Sequence, residues 1–472
     1  MSVTAACFVA GKPVGSANQL VVRSPYSGEA VGTVALATRE HVEDAITAAL
    51  KPSDPLTRFA RAEVLEKARL LLEKRREEFA RLITSEAGLC IRETRYEVGR
   101  ALDVLRLAGM EALHDDGQIF SGDISPQGKA RKIFTVREPV SLVLAIAPFN
   151  HPLNQVAHKV APAIAAGAPL ILKPSEKTPL TALRFAELLY EAGLPGRMLS
   201  VLLGPTDQIA EPLVRDLRVE VVSFTGSVAV GKHIATIAGY KRLVLELGGN
   251  DPLIVLEDAD PDLAAHLAAE GSYRNSGQRC TAVKRILVQD SIADEFTRRL
   301  IEKTKEYKCG DPFDESTRVG TVIDERSAIY LETVVGEAVA AGAKVLAGGN
   351  RRGALLEPTV IGNVPRDCRM VVSESFGPLA PILRVRDLDD AIALANSTAY
   401  GLSSSVVTNS LDKALKAVKQ LRCGTVNINE VPGFRVEHSP FGGIKDSGLG
   451  IKEGVIEATK SMTTVKTFSL PW

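Results

Sequence analysis

From residue 141 to 247 the chain alternates short aliphatic and β-branched runs with longer stretches in which apolar residues recur every three or four positions. The short runs predict strands at 141–147, 168–172, 198–203, 219–224 and 241–247. The periodic stretches predict helices at 153–166, 180–192, 206–214 and 228–238. Strand and helix taking turns in this way imply a parallel sheet covered by helices on both faces. A second set follows Asn250, with strands at 252–256, 283–288, 403–407 and 425–429 and helices at 261–275, 291–308, 389–397 and 411–421. The fold class is therefore α/β.

Ahead of these sets, Phe59, Val64, Leu65, Ala68, Leu71, Leu72, Phe79 and Leu82 recur at helical spacing, which predicts one amphipathic surface helix over 56–83, with Gly88 as its stop. The run Glu73-Lys74-Arg75-Arg76-Glu77-Glu78 mixes charges as a solvated helix face does. A further helix over 96–113 carries Arg100, by itself a surface arginine. Residues 121–140 are polar and without helical periodicity, as in a protruding hairpin. The exposed edge of such a hairpin needs cover, from another subunit or from the strand-like C-terminus 464–470.

Composition narrows the picture. A chain of 472 residues suits two α/β domains with small extensions. Its 57 basic and 57 acidic residues cancel and are interspersed, which argues against nucleic acid or a membrane surface as partner. No apolar run reaches the roughly 18 residues that span a bilayer, and the N-terminus lacks the pattern of a secretory leader, so the chain is read as cytoplasmic. Cys7, Cys90, Cys280, Cys309, Cys368 and Cys423 are scattered, without a Cys-x-x-Cys pair or clustered histidines. Neither disulfides nor a metal are expected.

Parallel sheets bind ligands beyond the carboxyl ends of their strands, and four polar stretches fall there. They are Pro148-Phe149-Asn150-His151-Pro152, Lys173-Pro174-Ser175-Glu176, Phe224-Thr225-Gly226-Ser227 and Glu246-Leu247-Gly248-Gly249-Asn250. Each has a plain reading: Asn150 as a helix cap, Lys173, Glu176 and Glu246 as exposed charges. Gly226 and Gly231 do not make the Gly-x-Gly-x-x-Gly fingerprint, yet a strand passing through Gly226-Ser227 into a helix aims that helix's first amides at a phosphate. A carboxylate at 176 would accept hydrogen bonds from ribose hydroxyls and repel a 2′-phosphate. A glutamate at 246, in a cleft, would be a general base for water. Cys280, in Gly277-Gln278-Arg279-Cys280, is either a small buried hydrophobe or a nucleophile. The second role needs the thiolate, scarce at neutral pH for a thiol of pKa about 8.5, and Arg279 with nearby N–H groups would favour it.

Together with Glu374-Ser375-Phe376-Gly377-Pro378 and Pro440-Phe441-Gly442-Gly443, these motifs stand in an order and spacing that resemble the aldehyde dehydrogenase superfamily over nearly the whole chain. The resemblance implies a Rossmann-type NAD-binding domain (1–118 and 139–248), an α/β catalytic domain (249–436) and a small β oligomerisation arm (119–138 and 437–472). It implies that Cys280 attacks the aldehyde carbonyl, that the Asn150 amide and the Cys280 N–H hold the oxyanion, and that Glu246 activates the water that hydrolyses the thioester. The branch that hands its acyl group to coenzyme A generally lacks that glutamate, so hydrolysis is expected. NAD is the implied cofactor. Lys173 and Glu176 would meet its adenosine ribose, Ser227 its pyrophosphate and Glu374 its nicotinamide ribose, with Phe376 packed nearby and Pro148, Ser175, Phe224, Gly226 and Gly248 in the same binding motifs.

His151 after Asn150 and Arg279 before Cys280 depart from the commonest pattern of the superfamily. With Arg100 and Arg435 they are similar to the basic set of members that oxidise aldehydes bearing an anionic head group, which the planar guanidinium fork suits. Some of the four could instead form only structural ion pairs. The expected substrate is phosphonoacetaldehyde, with glyceraldehyde 3-phosphate or a sulfo-aldehyde as alternatives, and the expected assembly is a homodimer or homotetramer.

Overall fold

Short aliphatic runs that are buried on both faces form the centre of two sheets in a computed structural model, which describes residues 3–472. In the first sheet the order is Arg242–Glu246, Val221–Thr225, Val143–Ile146, Leu170–Lys173, Leu199–Val201, and these five run parallel. Val3–Val9, Ala30–Ala35 and Gln19–Arg23 extend it beyond Leu199–Val201, with Lys12–Val14 paired on Val3–Val9. These N-terminal strands were not among the sequence expectations. The second sheet runs Lys344–Ala347, Thr359–Gly362, Leu379–Val385, Val283–Gln289, Asp251–Val255, Ser403–Val407, Thr425–Ile428, parallel except at its first strand. The third element is an antiparallel arm in which Arg131–Pro139 lies between Ile119–Ser121 and Thr463–Pro471. The C-terminal strand, one of the two candidates for covering the hairpin, therefore does so.

Four expectations need correction. The helix expected over 56–83 is two helices, Arg58–Lys74 and Arg76–Ala87, meeting at Arg75 (φ −105°, ψ 18°). No apolar residue between Leu72 and Phe79 anchors that turn to the core, and Phe59 faces out. The charge run at the junction is also more than a solvated face: Arg75 pairs with Glu191, Glu77 with Arg95 and Glu78 with Arg184, tying the break to neighbouring helices. The helix expected to reach 275 stops at Tyr273, because Asn275, Ser276 and Gly277 all turn left-handed (φ 56°, 53° and 69°). Finally, residues 437–462, expected with the arm, lie elsewhere. Glu437 and Glu453 reach partners on the helices Ile91–Leu113 and Asn154–Ala166, and Val455 and Met462 belong to the core of the first sheet. Among the described residues no helix is long and apolar enough to cross a membrane.

Candidate active site

Val143–Ile146 and Val221–Thr225 are neighbours in the sheet but not in sequence, so a crevice opens between the segments that follow them. A cavity of about 620 Å³ lies there. Pro148, Asn150, Gly226, Ser227, Glu246, Gly248, Cys280, Glu374 and Phe376 line it, so residues from both sheets share one wall. Lys173, Ser175, Glu176 and Phe224 do not line it. Lys173 Nζ donates to Glu176 Oε1 at 2.9 Å, and the Phe224 ring packs under Gly226, where a Cβ would come within 2.5 Å of it.

Cys280 follows the left-handed turn, which is held on all sides. A Cβ on Gly277 would meet the Gly377 carbonyl at 2.1 Å, so this positive-φ position demands glycine. Asn275 Nδ2 donates to Asn150 O and Asn150 Nδ2 donates to Gln278 O, both at 2.9 Å, which locks the Asn150 amide beside the cysteine. Lys284 Nζ donates to the carbonyls of Arg279 (2.8 Å) and Cys280 (2.7 Å). Burial pushes the Cys280 thiol up to about 11, while Lys284 and, more weakly, Arg435 pull it down. A thiol so placed is unreactive until cations and amides stabilise its thiolate.

Glu246 ends its strand facing the cavity, and neither carboxylate oxygen has a hydrogen-bond partner. Gly442 backs it so closely that a Cβ there would sit 2.5 Å from Oε1. Burial, then the charge of Glu453, holds Glu246 well above the usual carboxylate range, against the pull of Arg435, Lys159 and Lys452. Glu453 goes the other way: burial raises it, but Lys159, whose Nζ donates to it at 2.8 Å, brings it below the usual carboxylate range together with His158 and Arg435. A carboxyl group with a raised pKa and both oxygens free is suited to taking a proton from water.

None of the four basic residues lines this cavity, and they are not equivalent. Arg100 binds Glu437 through Nε (2.5 Å) and Nη2 (3.1 Å), and His158 Nε2 shares that carboxylate at 2.5 Å. Arg279 Nη2 donates to the carbonyls of Glu270 (3.1 Å) and Gly271 (2.7 Å), leaving Nε sealed from solvent without a partner. Burial and Arg274 push the Arg279 guanidinium down to about 10. Arg435 lies over the Phe441 ring at 3.9 Å, and its Nη1 is likewise buried and unpartnered. His151 has Glu97 beside its Nδ1 at 3.5 Å.

The cleft also fits a dinucleotide. Thr225 Oγ1 is a buried hydroxyl on its wall with no partner, and a Cβ on Gly248 would fill the space before Glu374, 2.3 Å from Oε2. Ser227 caps the helix Val228–Ile237, whose first amides face this end of the sheet. Phe376 packs edge-on against Phe149, and Glu374 accepts from the Gly249 N–H (3.1 Å) beside Lys284.

Several residues of the site escaped the sequence reading. Arg326, Ser327 and Tyr330 line the cavity from the helix Glu325–Ala340, in a region where no periodic signal was read. Lys284 did leave a signal, since Lys284-Arg285 places two cations inside a mostly apolar strand. Glu97, Glu437, Lys159 and Glu453 act through partners distant in sequence and left none.

The aldehyde dehydrogenase family profile matches residues 14–468. The chain is 40% identical to the 3-sulfolactaldehyde dehydrogenase of Priestia megaterium over 457 residues, which cover 97% of this chain and 96% of that one. Its fold is similar to that of aldehyde dehydrogenase 21 from Physcomitrella patens, crystallised with the reaction product succinate (TM-score 0.96, 36% identity, covering 100% of this chain and 99% of the other). A similar fold is found in the NADP-dependent glyceraldehyde-3-phosphate dehydrogenase from Bacillus halodurans complexed with NADP (TM-score 0.95, 35% identity, covering 100% of both chains).

Proposed function

Because the chain belongs to the aldehyde dehydrogenase family of NAD(P)-dependent aldehyde oxidoreductases, we propose that it oxidises a small anionic aldehyde, in the first place phosphonoacetaldehyde, to the carboxylic acid with NAD. The observation that carries this reading is a pair of buried guanidinium N–H groups without a partner among the described residues, Arg435 Nη1 and Arg279 Nε, the latter in the Cys280 turn. Leaving buried N–H donors without an acceptor is costly, and an anionic head group supplies the acceptor.

In this reading the Cys280 thiolate adds to the aldehyde carbon, and the oxyanion is held by the Cys280 N–H and the remaining N–H of Asn150 Nδ2. The nicotinamide supplies the acceptor for the hydride that leaves the same carbon. Glu246 then takes a proton from water, the hydroxide adds to the thioester, and the carboxylic acid departs as the Cys280–carbon bond breaks. Lys173 and Glu176 bind the adenosine ribose, with Glu176 disfavouring a 2′-phosphate, and the amides after Ser227 bind the pyrophosphate.

The 40% identity to a 3-sulfolactaldehyde dehydrogenase favours a second reading, in which the head group is a sulfonate. NADH formation with phosphonoacetaldehyde, 3-sulfolactaldehyde, glyceraldehyde 3-phosphate and acetaldehyde decides between them. A preference for phosphonoacetaldehyde supports the first reading, a preference for 3-sulfolactaldehyde the second. Acetaldehyde turned over as well as any anionic aldehyde overturns both.

The same proposal includes a homo-oligomer built by edge pairing. Thr463–Pro471 and Thr425–Ile428 are both open sheet edges, and Leu411, Leu415, Val418, Val465, Phe468 and Leu470 are exposed on or near them. Light scattering on the eluting protein tests it, a monomer at micromolar concentration being the adverse result.

A further inference from the structure

Glu97, on the helix Ile91–Leu113, performs two tasks with its two oxygens. Oε1 accepts the N–H groups of Leu153 (2.8 Å) and Asn154 (3.0 Å), capping the helix Asn154–Ala166 and fixing the loop that carries Asn150 and His151. Oε2 makes no hydrogen bond and lies 3.5 Å from His151 Nδ1, which is equally without a partner. The other charges facing the ring are Arg100, from the same helix as Glu97, and Arg279, from the turn before Cys280.

A carboxylate beside Nδ1 selects the proton on that nitrogen. In neutral His151 the opposite nitrogen, Nε2, then carries a lone pair, which repels an anionic oxygen. Only the imidazolium has an N–H to offer there. Resting on the anionic-aldehyde reading of the site, we infer that Glu97 is a positioning residue that makes His151 a proton-coupled anion donor: the head group binds together with one proton on His151, and Glu97 is the counter-charge that admits it. Burial depresses the imidazole, with Arg100 and Arg279 on the same side and Glu97 opposing them. An entering anion adds a second negative neighbour and tips that balance toward the charged ring. Discrimination in favour of anionic aldehydes is thus strongest at low pH and fades as pH rises.

The test uses sulfoacetaldehyde, whose sulfonate keeps one charge from pH 6 to 9, and acetaldehyde, which reports the titration of Cys280 and Glu246 without an anion. In the wild-type enzyme the ratio of their kcat/KM values falls on the alkaline side, approaching tenfold per pH unit. In Glu97→Gln the amide oxygen still accepts the two helix N–H groups, while its NH2 faces Nδ1 and moves the ring proton to Nε2, so the ratio becomes flat. A Glu97 that only caps the helix would lower both substrates together and leave the slope of the ratio unchanged. That outcome, or a flat ratio in the wild type, overturns the inference. Nitrogen-15 NMR of histidine-labelled protein, with His151→Gln to assign the signal, gives a reading without any substrate. The proton is expected on Nδ1 in the wild type and on Nε2 in Glu97→Gln. A wild-type proton on Nε2 sinks the inference alone, whereas a ratio at or below one at every pH sinks the anionic-aldehyde reading on which it rests.

Discussion

Replacing Arg435 by methionine separates recognition from folding. The side chain is half-buried over Phe441, and its Nη1 is sealed from solvent with no acceptor among the described residues. In the proposed complex that N–H would meet the head group as a charge-assisted hydrogen bond, the kind worth about 1.5–3 kcal/mol. At about 1.36 kcal/mol per tenfold, its loss lowers kcat/KM for the anionic aldehyde by roughly tenfold to 150-fold. Arg435 also pulls down the Cys280 thiol and the Glu246 carboxyl, so acetaldehyde turnover falls as well, and the informative quantity is the ratio of the two substrates. Stability should move little. Methionine keeps apolar contact with Phe441, and the cation–π attraction lost, about 0.5–2 kcal/mol, is offset by no longer burying an unpaired guanidinium N–H. The assay is steady-state NADH formation with phosphonoacetaldehyde and acetaldehyde, next to a thermal melt. A variant that loses both substrates in proportion, with a much lower Tm, would show Arg435 to be structural and refute the argument.

Glu246→Gln should release one NADH per active site in a burst and then turn over about 10²–10⁴-fold more slowly, because only water activation is removed; undiminished steady turnover would exclude Glu246 as the base. Without cofactor, alkylation of Cys280 by iodoacetamide should accelerate about tenfold per pH unit from pH 7 towards the thiol's pKa of about 11. A rate independent of pH in that range would mean a preformed thiolate. Glu453→Gln removes the charge that raises Glu246, so the rising limb of the pH–kcat profile should shift to lower pH. The same change strips Lys159 of its buried partner and should cost about 3–5 kcal/mol, read in a denaturant melt. An unmoved pH limb in a folded variant would count against the coupling of the two carboxyls.

The two parallel sheets were legible because their central strands, such as Val143–Ile146 and Asp251–Val255, are buried on both faces and so appear as unbroken apolar runs. The polar stretches that follow them were legible for the same reason, since Asn150, Gly226 and Glu246 stand where those runs stop. Gln19–Arg23 and Ala30–Ala35 are half-exposed and short, and their alternation is too weak to stand out. The break at Arg75 was hidden because the apolar spacing before it resumes in phase at Phe79. Arg100 shows the deeper limit. Its position on a helix could be read from its neighbours, but its partner Glu437 lies 337 residues further on, and no local pattern announces such a pair.

One stretch, from Arg435 to Glu453, joins the two halves of the chemistry. Glu437 takes up the charge of Arg100, Phe441 supports Arg435, Gly442 backs Glu246 and Glu453 binds Lys159. Arg435 therefore faces three claims on a single positive charge: the thiolate of Cys280, the carboxylate of Glu246 and the anionic head group of the proposed substrate. A head group that satisfied Arg435 would weaken its support of the other two. Lys284 at the Cys280 turn and Lys159 with Lys452 near Glu246 supply independent cations for those two groups. These basic residues are then not a surplus attracted to one anion. In the proposed reaction, which needs a thiolate, an oxyanion and a carboxylate in turn, they would divide among those successive negative charges, with Arg100 already taken up by Glu437.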